Sequence, residues 1–378
     1  MAAEQTQRDT VMIRVARGAL VAGLLYLFLV GVGMLEAGIK GLGADFGAAL
    51  LESVSNPLAG LFVGVLATVL AQSSSVTTST IVGLVAAGTL NIDAAVPMIM
   101  GANIGTTVTN TLASMGHVRR PAEFRLAFAA ATVHDFFNLM AVLVLFPLEL
   151  ATGVLSGIAR SITELLVGAG GVEFNSPIKA AVKAPVIAIE DGLSWVGVSG
   201  TWLGVIVVAL GLAAIFLALG FITKNMRILM ADRVEQSINA MLGRGGGVPA
   251  ILLGMVITVA VQSSSITTSI MIPLAAAGVI SLRSLYPVTL GANVGTTISA
   301  LLASLATGSS AALTVALVHS TFNVAGIVLF YPIPKLRDLP IHLAERLAEI
   351  AARRRSVVLG YVMIVFIVIP ALGVLLLR

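Results

Sequence analysis

The sequence predicts an all-α integral membrane protein built from two inverted repeats, and three observations lead there. Of its residues, 58% are hydrophobic and only 11% are charged, for a mean hydropathy of +1.04. Four apolar runs, residues 19–35, 202–222, 313–331 and 357–377, approach or reach the roughly 20 residues that a helix needs to cross a bilayer. The chain also repeats itself: shifted by 190 positions, residues 64–116 lie over residues 254–306 with 24 of 53 identical. The alternating pattern of a transmembrane barrel strand is missing, so the class is helical.

Taken in order, residues 1–17 carry Arg8, Arg14 and Arg17 and precede the first apolar run. That run is long and lacks a small-residue cleavage site, so it reads as a retained helix and not a signal peptide. Basic residues recur as His117, Arg119, Arg120 and Arg125, as Lys224, Arg227, Arg233 and Arg244, and from Lys335 through Arg355. Placed in the cytoplasm by the positive-inside rule, these regions give one consistent path with the N-terminus inside. The net charge of +4 is therefore a topology signal, and without interleaved aromatics it does not suggest nucleic acid.

The expected organisation is a first half, 18–169, an extracellular loop, 170–200, a second half, 201–355, and a C-terminal transmembrane helix, 356–378. The loop is the longest polar stretch, with Asn175, Pro177, Lys179, Lys183, Pro185, Glu190 and Asp191. In the first repeat, residues 58–90 hold Gln72-Ser73-Ser74-Ser75 at their centre. The stretch is too long for one span and too short for two, so it reads as a re-entrant helical hairpin with the Gln-Ser-Ser-Ser at its tip. Residues 248–280, with Gln262-Ser263-Ser264-Ser265, form the second hairpin. The helices 94–116 and 284–306 follow, with Gly101-Ala102-Asn103-Ile104-Gly105-Thr106-Thr107 matched by Gly291-Ala292-Asn293-Val294-Gly295-Thr296-Thr297. Two glycines around an asparagine predict broken transmembrane helices with freed carbonyls at Asn103 and Asn293.

A third pair of stations lies in the helices 122–150 and 312–333. His134-Asp135-Phe136-Phe137-Asn138 corresponds to His319-Ser320-Thr321-Phe322-Asn323 after a five-residue shortening. Helix 94–116 must descend to the basic loop at His117, whereas helix 284–306 starts from the cytoplasmic side. The copies run in opposite directions, the arrangement of an inverted-repeat secondary transporter. Residues 338–355 are amphipathic and basic and read as an interfacial cytoplasmic helix, with 157–167 as its mirror on the outer face.

Cysteine is absent, which excludes disulfides, thiolate metal sites and cysteine nucleophiles. Unsatisfied polar groups in hydrocarbon cost several kcal/mol each, so the doubled clusters must face protein or a watery cavity. Hydroxyls, glutamine amides and opened carbonyls are neutral oxygen donors, the ligand set of a hard alkali cation. Hydroxyls and amides at a helix N-terminus equally donate to an anion. Asp135 is an ionisable group in an otherwise apolar helix, a functional candidate whose counterpart is the neutral Ser320. Plainer readings stand beside these. Serines and threonines can bond back to their own helices, and His134, His319, Asn138 and Asn323 can be interhelical donors. Arg119, Arg120 and Arg125 can serve topology alone. A passive channel is a further alternative. An intramembrane serine hydrolase fits poorly, because duplicated identical nucleophiles serve no single active site.

The doubled Gln-Ser-Ser-Ser, the Gly-Ala-Asn-(Ile/Val)-Gly-Thr-Thr segments and Thr132-Val133-His134-Asp135-Phe136-Phe137-Asn138 together resemble the type II sodium/phosphate cotransporters. The resemblance implies a multi-pass plasma-membrane symporter, not an enzyme, with no cofactor and with sodium as the co-transported ion. It would place phosphate between the hairpin tips, at Ser73, Ser74, Ser263 and Ser264. Sodium ligands would come from Gln72, Gln262, Ser263, Thr106, Thr296, Asp135 and Asn138. In that family an aspartate at the position of Asp135 goes with an additional sodium and electrogenic transport. Animal members carry a disulfide in the large external loop, which this chain, lacking cysteine, departs from. The partners implied are inorganic phosphate, sodium ions and the lipid bilayer; another small anion, sulfate or a dicarboxylate, stays open because hydroxyl cradles do not name their anion.

Overall fold

Six of the described helices begin where a short polar side chain accepts an unpaired amide of the first turn. Asn56 accepts from the Leu58 amide at 2.9 Å, and Pro57 fills the next position. Asn91, Ser281 and Ser309 cap later helices in the same way. The computed structural model describes residues 2–168, 177–242 and 247–377. Asn175 of the expected loop, Arg244 and Arg378 lie outside the described residues.

In chain order the helices are α1 (Ala2–Gly41), α2 (Ala44–Ser53), α3 (Pro57–Ala71), α4 (Ser74–Ala86), α5 (Ile92–Gly105) and α6 (Val108–Ser114). Next come α7 (Pro121–Thr152), α8 (Val154–Val167), α9 (Pro177–Trp195), α10 (Gly200–Leu242), α11 (Val248–Val261) and α12 (Ser264–Ala276). The chain continues with α13 (Leu282–Thr307), α14 (Ser310–Phe330), α15 (Pro334–Arg353), α16 (Ser356–Met363) and α17 (Ile369–Leu377), the last two joined by a π-helical turn. No strand occurs among the described residues. Six stretches among them are long and apolar enough to cross a membrane: Val15–Gly41, Pro121–Thr152, Gly200–Met226, Leu282–Thr307, Ser310–Phe330 and Ser356–Leu377. The protein is an all-α, multi-pass membrane protein.

The repeat is visible as α3–α4–α5–α6–α7 against α11–α12–α13–α14. Helices α3, α4, α11 and α12 have 15, 13, 14 and 13 residues, each too short to span alone. They pair as helical hairpins. Thr258 of α11 donates to Thr267 of α12 at 2.8 Å although the two are nine positions apart, a separation of about 13.5 Å along a straight helix. The fold-back occurs at Gln72 and Gln262, the two non-glycine residues with positive φ, 51° and 56°, among the described residues.

The helix breaks depart from expectation. The first repeat does break, but at Thr106–Thr107, after the glycine-flanked asparagine. In the second repeat α13 runs without interruption through Asn293. The glycines instead let backbones touch. A Cβ on Gly101 would sit 1.9 Å from the Leu61 carbonyl oxygen, and one on Gly64 would sit 2.1 Å from that of Met98. The copies at Gly291 and Gly254 meet the carbonyls of Ile251 and Val288 at 1.8 and 2.0 Å. Each hairpin thus lies on the following helix along a reciprocal glycine seam, the close packing that membrane helices use in place of a hydrophobic drive.

The segment expected as a loop differs as well. Its described part is largely the helix α9, docked on α1 by buried Val182 and Val186 and by a hydrogen bond from the Tyr26 hydroxyl to the Ala181 carbonyl at 2.9 Å. Helix α1 in turn packs on α10 through Gly31 and Gly38 opposite Gly211 and Gly204. Helix α15 seats Ala348 and Ala351 against Phe124 and Phe128 of α7, and α8 reaches α14 through Thr163 and Thr314, whose hydroxyls are 2.9 Å apart.

Candidate functional site

The two hairpin tips are built alike. Ser73 and Ser263 are extended, with φ of −157° each, and their hydroxyls accept from the amides of Val76 and Ile266 at 3.3 Å. This capping stops α3 and α11 and restarts the chain as α4 and α12. The glutamine before each cap takes the left-handed conformation and is held by its own side chain. Gln72 Nε2 donates to the Val69 carbonyl at 2.6 Å, while its Oε1 accepts from Thr109 Oγ1 at 3.2 Å. Gln262 repeats this with the Val259 carbonyl at 2.7 Å and Ser299 Oγ at 3.0 Å. Thr109 and Ser299 are themselves repeat-related, and neither stood out in the sequence.

Both tips line one cavity of about 240 Å³. Gln72, Ser73, Ser74 and Ser75 meet Gln262, Ser263, Ser264 and Ser265 there, and Phe216, Leu219, Gly220 and Thr223 of α10 complete the wall. None of these side chains is charged. What the cavity offers is hydroxyls, two amide side chains and the N-terminal turns of α4 and α12, whose unpaired N–H groups and dipoles favour an anion. The α10 wall was not legible in the sequence, because α10 lies outside the repeat and has no copy to compare with.

The remaining expected residues lie outside this lining. Thr106 and Thr296 donate back to the carbonyls of Ala102 and Ala292 at 2.9 and 3.0 Å. Asp135 is 1% exposed; its Oδ2 accepts from the Tyr361 hydroxyl of α16 at 2.9 Å, and its Oδ1 has no hydrogen-bond partner. Thr107 and Thr111 lie beside the carboxylate. In the second repeat the equivalent Ser320 donates to Thr297, the counterpart of Thr107, at 2.9 Å. Tyr361 belongs to neither repeat, so nothing in the sequence marked it.

Asn103, Asn138 and Asn293 form a hub between the halves. His134 of the first repeat hydrogen-bonds Asn293 Oδ1 of the second, and Asn293 Nδ2 donates to Asn138 Oδ1 at 2.6 Å. Asn138 Nδ2 then donates to the Asn103 carbonyl at 2.9 Å. From the other side His319 Nε2 and Asn323 Nδ2 both reach Asn103 Oδ1 at 3.4 Å. With the asparagine amides oriented in this way, each histidine meets an oxygen, which accepts from a protonated Nε2. Each repeat's histidine thus grips the asparagine of the other repeat. Such reciprocity is the mark of a two-fold relation. With the basic loops in the cytoplasm, the end of α6 and the start of α13 lie on the same side, so α5–α6 and α13 run in opposite directions, as in an inverted repeat.

Comparison with known proteins follows the same lines. The family described as Na+/Pi-cotransporter matches residues 27–175 and 214–331. The sheep (Ovis aries) sodium-dependent phosphate transport protein 2A is 34% identical over 425 residues, covering 93% of this chain and 66% of that protein. The human (Homo sapiens) sodium-dependent phosphate transport protein 2B is 33% identical over 445 residues, covering 94% of this chain and 64% of its own length. The chain therefore spans slightly less than two thirds of the length of these relatives. No solved structure matches. With both repeats inside the matched residues, the chain belongs to the Na+/Pi-cotransporter family.

Proposed function

We propose that the protein is a sodium-coupled symporter that carries inorganic phosphate into the cell across the plasma membrane, and that transport is electrogenic. The observation that carries this reading is the single uncharged cavity shared by the two Gln-Ser-Ser-Ser tips. A phosphate there meets Ser73, Ser74, Ser263 and Ser264 and two helix N-termini, but no lysine, arginine or histidine. Full neutralisation of a dianion then falls to co-bound cations, which gives a physical reason for coupling to sodium. Gln72, Gln262 and Ser263 offer sodium their carbonyl or hydroxyl oxygens. Thr106 and Thr296 donate their hydroxyl protons and keep their lone pairs, and Asn138 Oδ1 keeps one beside the bond it accepts. The unpartnered Oδ1 of Asp135 supports an additional sodium seat on the first repeat alone. Each net charge moved inward with the membrane potential contributes about 2.3 kcal/mol per 100 mV to the gradient sustained.

The name shared by the relatives supports phosphate over other anions. The test is uptake of labelled phosphate into proteoliposomes with an inward sodium gradient or with choline in its place. Saturable uptake only with sodium is expected. Uptake indifferent to sodium rejects symport, and uptake of labelled sulfate or dicarboxylate in place of phosphate reassigns the substrate.

A further inference from the structure

At the end of the second repeat that the basic loops assign to the cytoplasm, a second cavity of about 250 Å³ opens between the start of α13, the end of α14 and α15. Arg283 and Ser284 come from α13 and Arg337 from α15. Arg283 Nη1 donates to Asp338 Oδ2 at 3.0 Å, and Arg337 Nε lies 3.5 Å from Oδ1 of the same carboxylate. Two guanidinium groups against one carboxylate leave an excess positive charge. The Arg337 guanidinium also sits 5.8 Å from the centre of the Tyr331 ring, which holds it over the cavity.

A second observation points to a ligand. Tyr286 lines the cavity and is 1% exposed, yet its hydroxyl has no hydrogen-bond partner. Buried hydroxyls are normally paired, and this residue lines the same cavity as Arg337, Asp338 and Tyr331. The mirror position in the first repeat makes the comparison. A cavity of about 280 Å³ lies there too, but Asp93 stands in place of Arg283 and Phe146 in place of Tyr331, and Glu149 is added. The Glu149 carboxylate accepts from the amides of Leu155 and Ser156, at 2.7 and 3.2 Å. The duplicated scaffold thus leaves a hollow at both ends: at the mirror one Arg160 reaches Asp93 at 3.1 Å from outside the lining, whereas only the cytoplasmic one is lined by two arginines and an unpaired phenol.

We propose that this cytoplasmic hollow is an anion site for a tetrahedral phosphate group, separate from the central cavity. Arginine forks match phosphate oxygens in geometry and charge, and the Tyr286 hydroxyl donates to a third oxygen. Free inorganic phosphate in the cytoplasm and the headgroup of an anionic phospholipid in the inner leaflet present this same chemistry.

The experiment uses the full chain in sodium-free detergent solution. Inorganic phosphate is titrated by calorimetry, and retention of phosphatidic acid against phosphatidylcholine is counted by native mass spectrometry. Tyr286→Phe and Arg337→Gln are compared with Ser73→Ala. Tyr286→Phe deletes an unpaired hydroxyl and retains the fold, which the thermal unfolding midpoint verifies. The expected result is a loss of about tenfold in affinity for one probe in Tyr286→Phe and at least as much in Arg337→Gln, the effect of losing a hydrogen bond to a charged group, with none in Ser73→Ala. Loss for inorganic phosphate identifies free phosphate as the occupant; loss for phosphatidic acid identifies the lipid. Binding unchanged in both variants, or sensitive only to Ser73→Ala, overturns the site. Binding is read without transport, so failed uptake in proteoliposomes rejects the symport reading and leaves this one standing.

Discussion

Asp135 is a buried carboxylate whose Oδ2 accepts from the Tyr361 hydroxyl, with Thr107 and Thr111 beside it. An unneutralised carboxylate at membrane depth is costly, and the proposed visiting cation would offset that cost. Asp135→Gly is expected to retain sodium-dependent phosphate uptake and abolish net current, read as charge per phosphate in voltage-clamped membranes; unchanged charge per phosphate rejects the assignment. At the tips, Ser73→Ala and Ser263→Ala each remove a cap worth about 1 kcal/mol to the following helix together with a cavity hydroxyl. Both are expected to raise the KM for phosphate several-fold by comparable amounts, measured as labelled uptake. A large effect at one tip alone contradicts a shared cavity.

Pairs of helices show where sequence reading succeeds and where it fails. The hairpins were legible because a polar Gln-Ser-Ser-Ser cannot sit in the middle of a spanning helix without a turn to satisfy it. The second asparagine segment was misread, and the break in the first was placed a few residues early, because glycine has two uses in a membrane, freeing the backbone and admitting a neighbour, and only the partner helix decides between them. Leu61 and Ile251, whose carbonyls fill the space above Gly101 and Gly291, are some 40 residues upstream, so no local pattern announces them. Gly101→Ala and Gly291→Ala are therefore expected to push α3 from α5 and α11 from α13, lowering stability by about 1–3 kcal/mol or more. Gly157→Ala in α8, where nothing lies within 4 Å, is expected to be neutral or mildly stabilising. Thermal unfolding of the three variants in detergent checks the contrast. Helix α9 was hidden for another reason: its scattered lysines, prolines and acids resemble a solvated loop, while the two valines that dock it on α1 are too few to stand out.

Across the whole molecule, the halves are joined by the buried asparagine–histidine hub and by buried apolar contacts such as Phe137 against Tyr286 and Phe330. The repeat and its inversion were legible from basic loops and identical residues, whereas the grip of each histidine on the opposite asparagine was not, since it joins positions 159 and 216 residues apart. The two grips are unequal. Asn293 is held by shorter hydrogen bonds than Asn103, whose contacts with His319 and Asn323 are 3.4 Å. Asn293→Ala is expected to loosen the halves more than Asn103→Ala. A double-mutant cycle of His134→Ala with Asn293→Ala should give a coupling of about 0.5–3 kcal/mol, and His134→Ala with Asn103→Ala close to none. Equal couplings remove the pairing. The place of Asp135 outside the lining of the central cavity has a consequence for how such a carrier can be retuned. The residues that would choose the cargo and the residue that would set the voltage-driven work per cycle sit at different addresses. On the proposed reading, a single codon change at Asp135 would trade accumulating power for economy in a salt-poor or weakly energised membrane, while the serines of the two tips stay as they were.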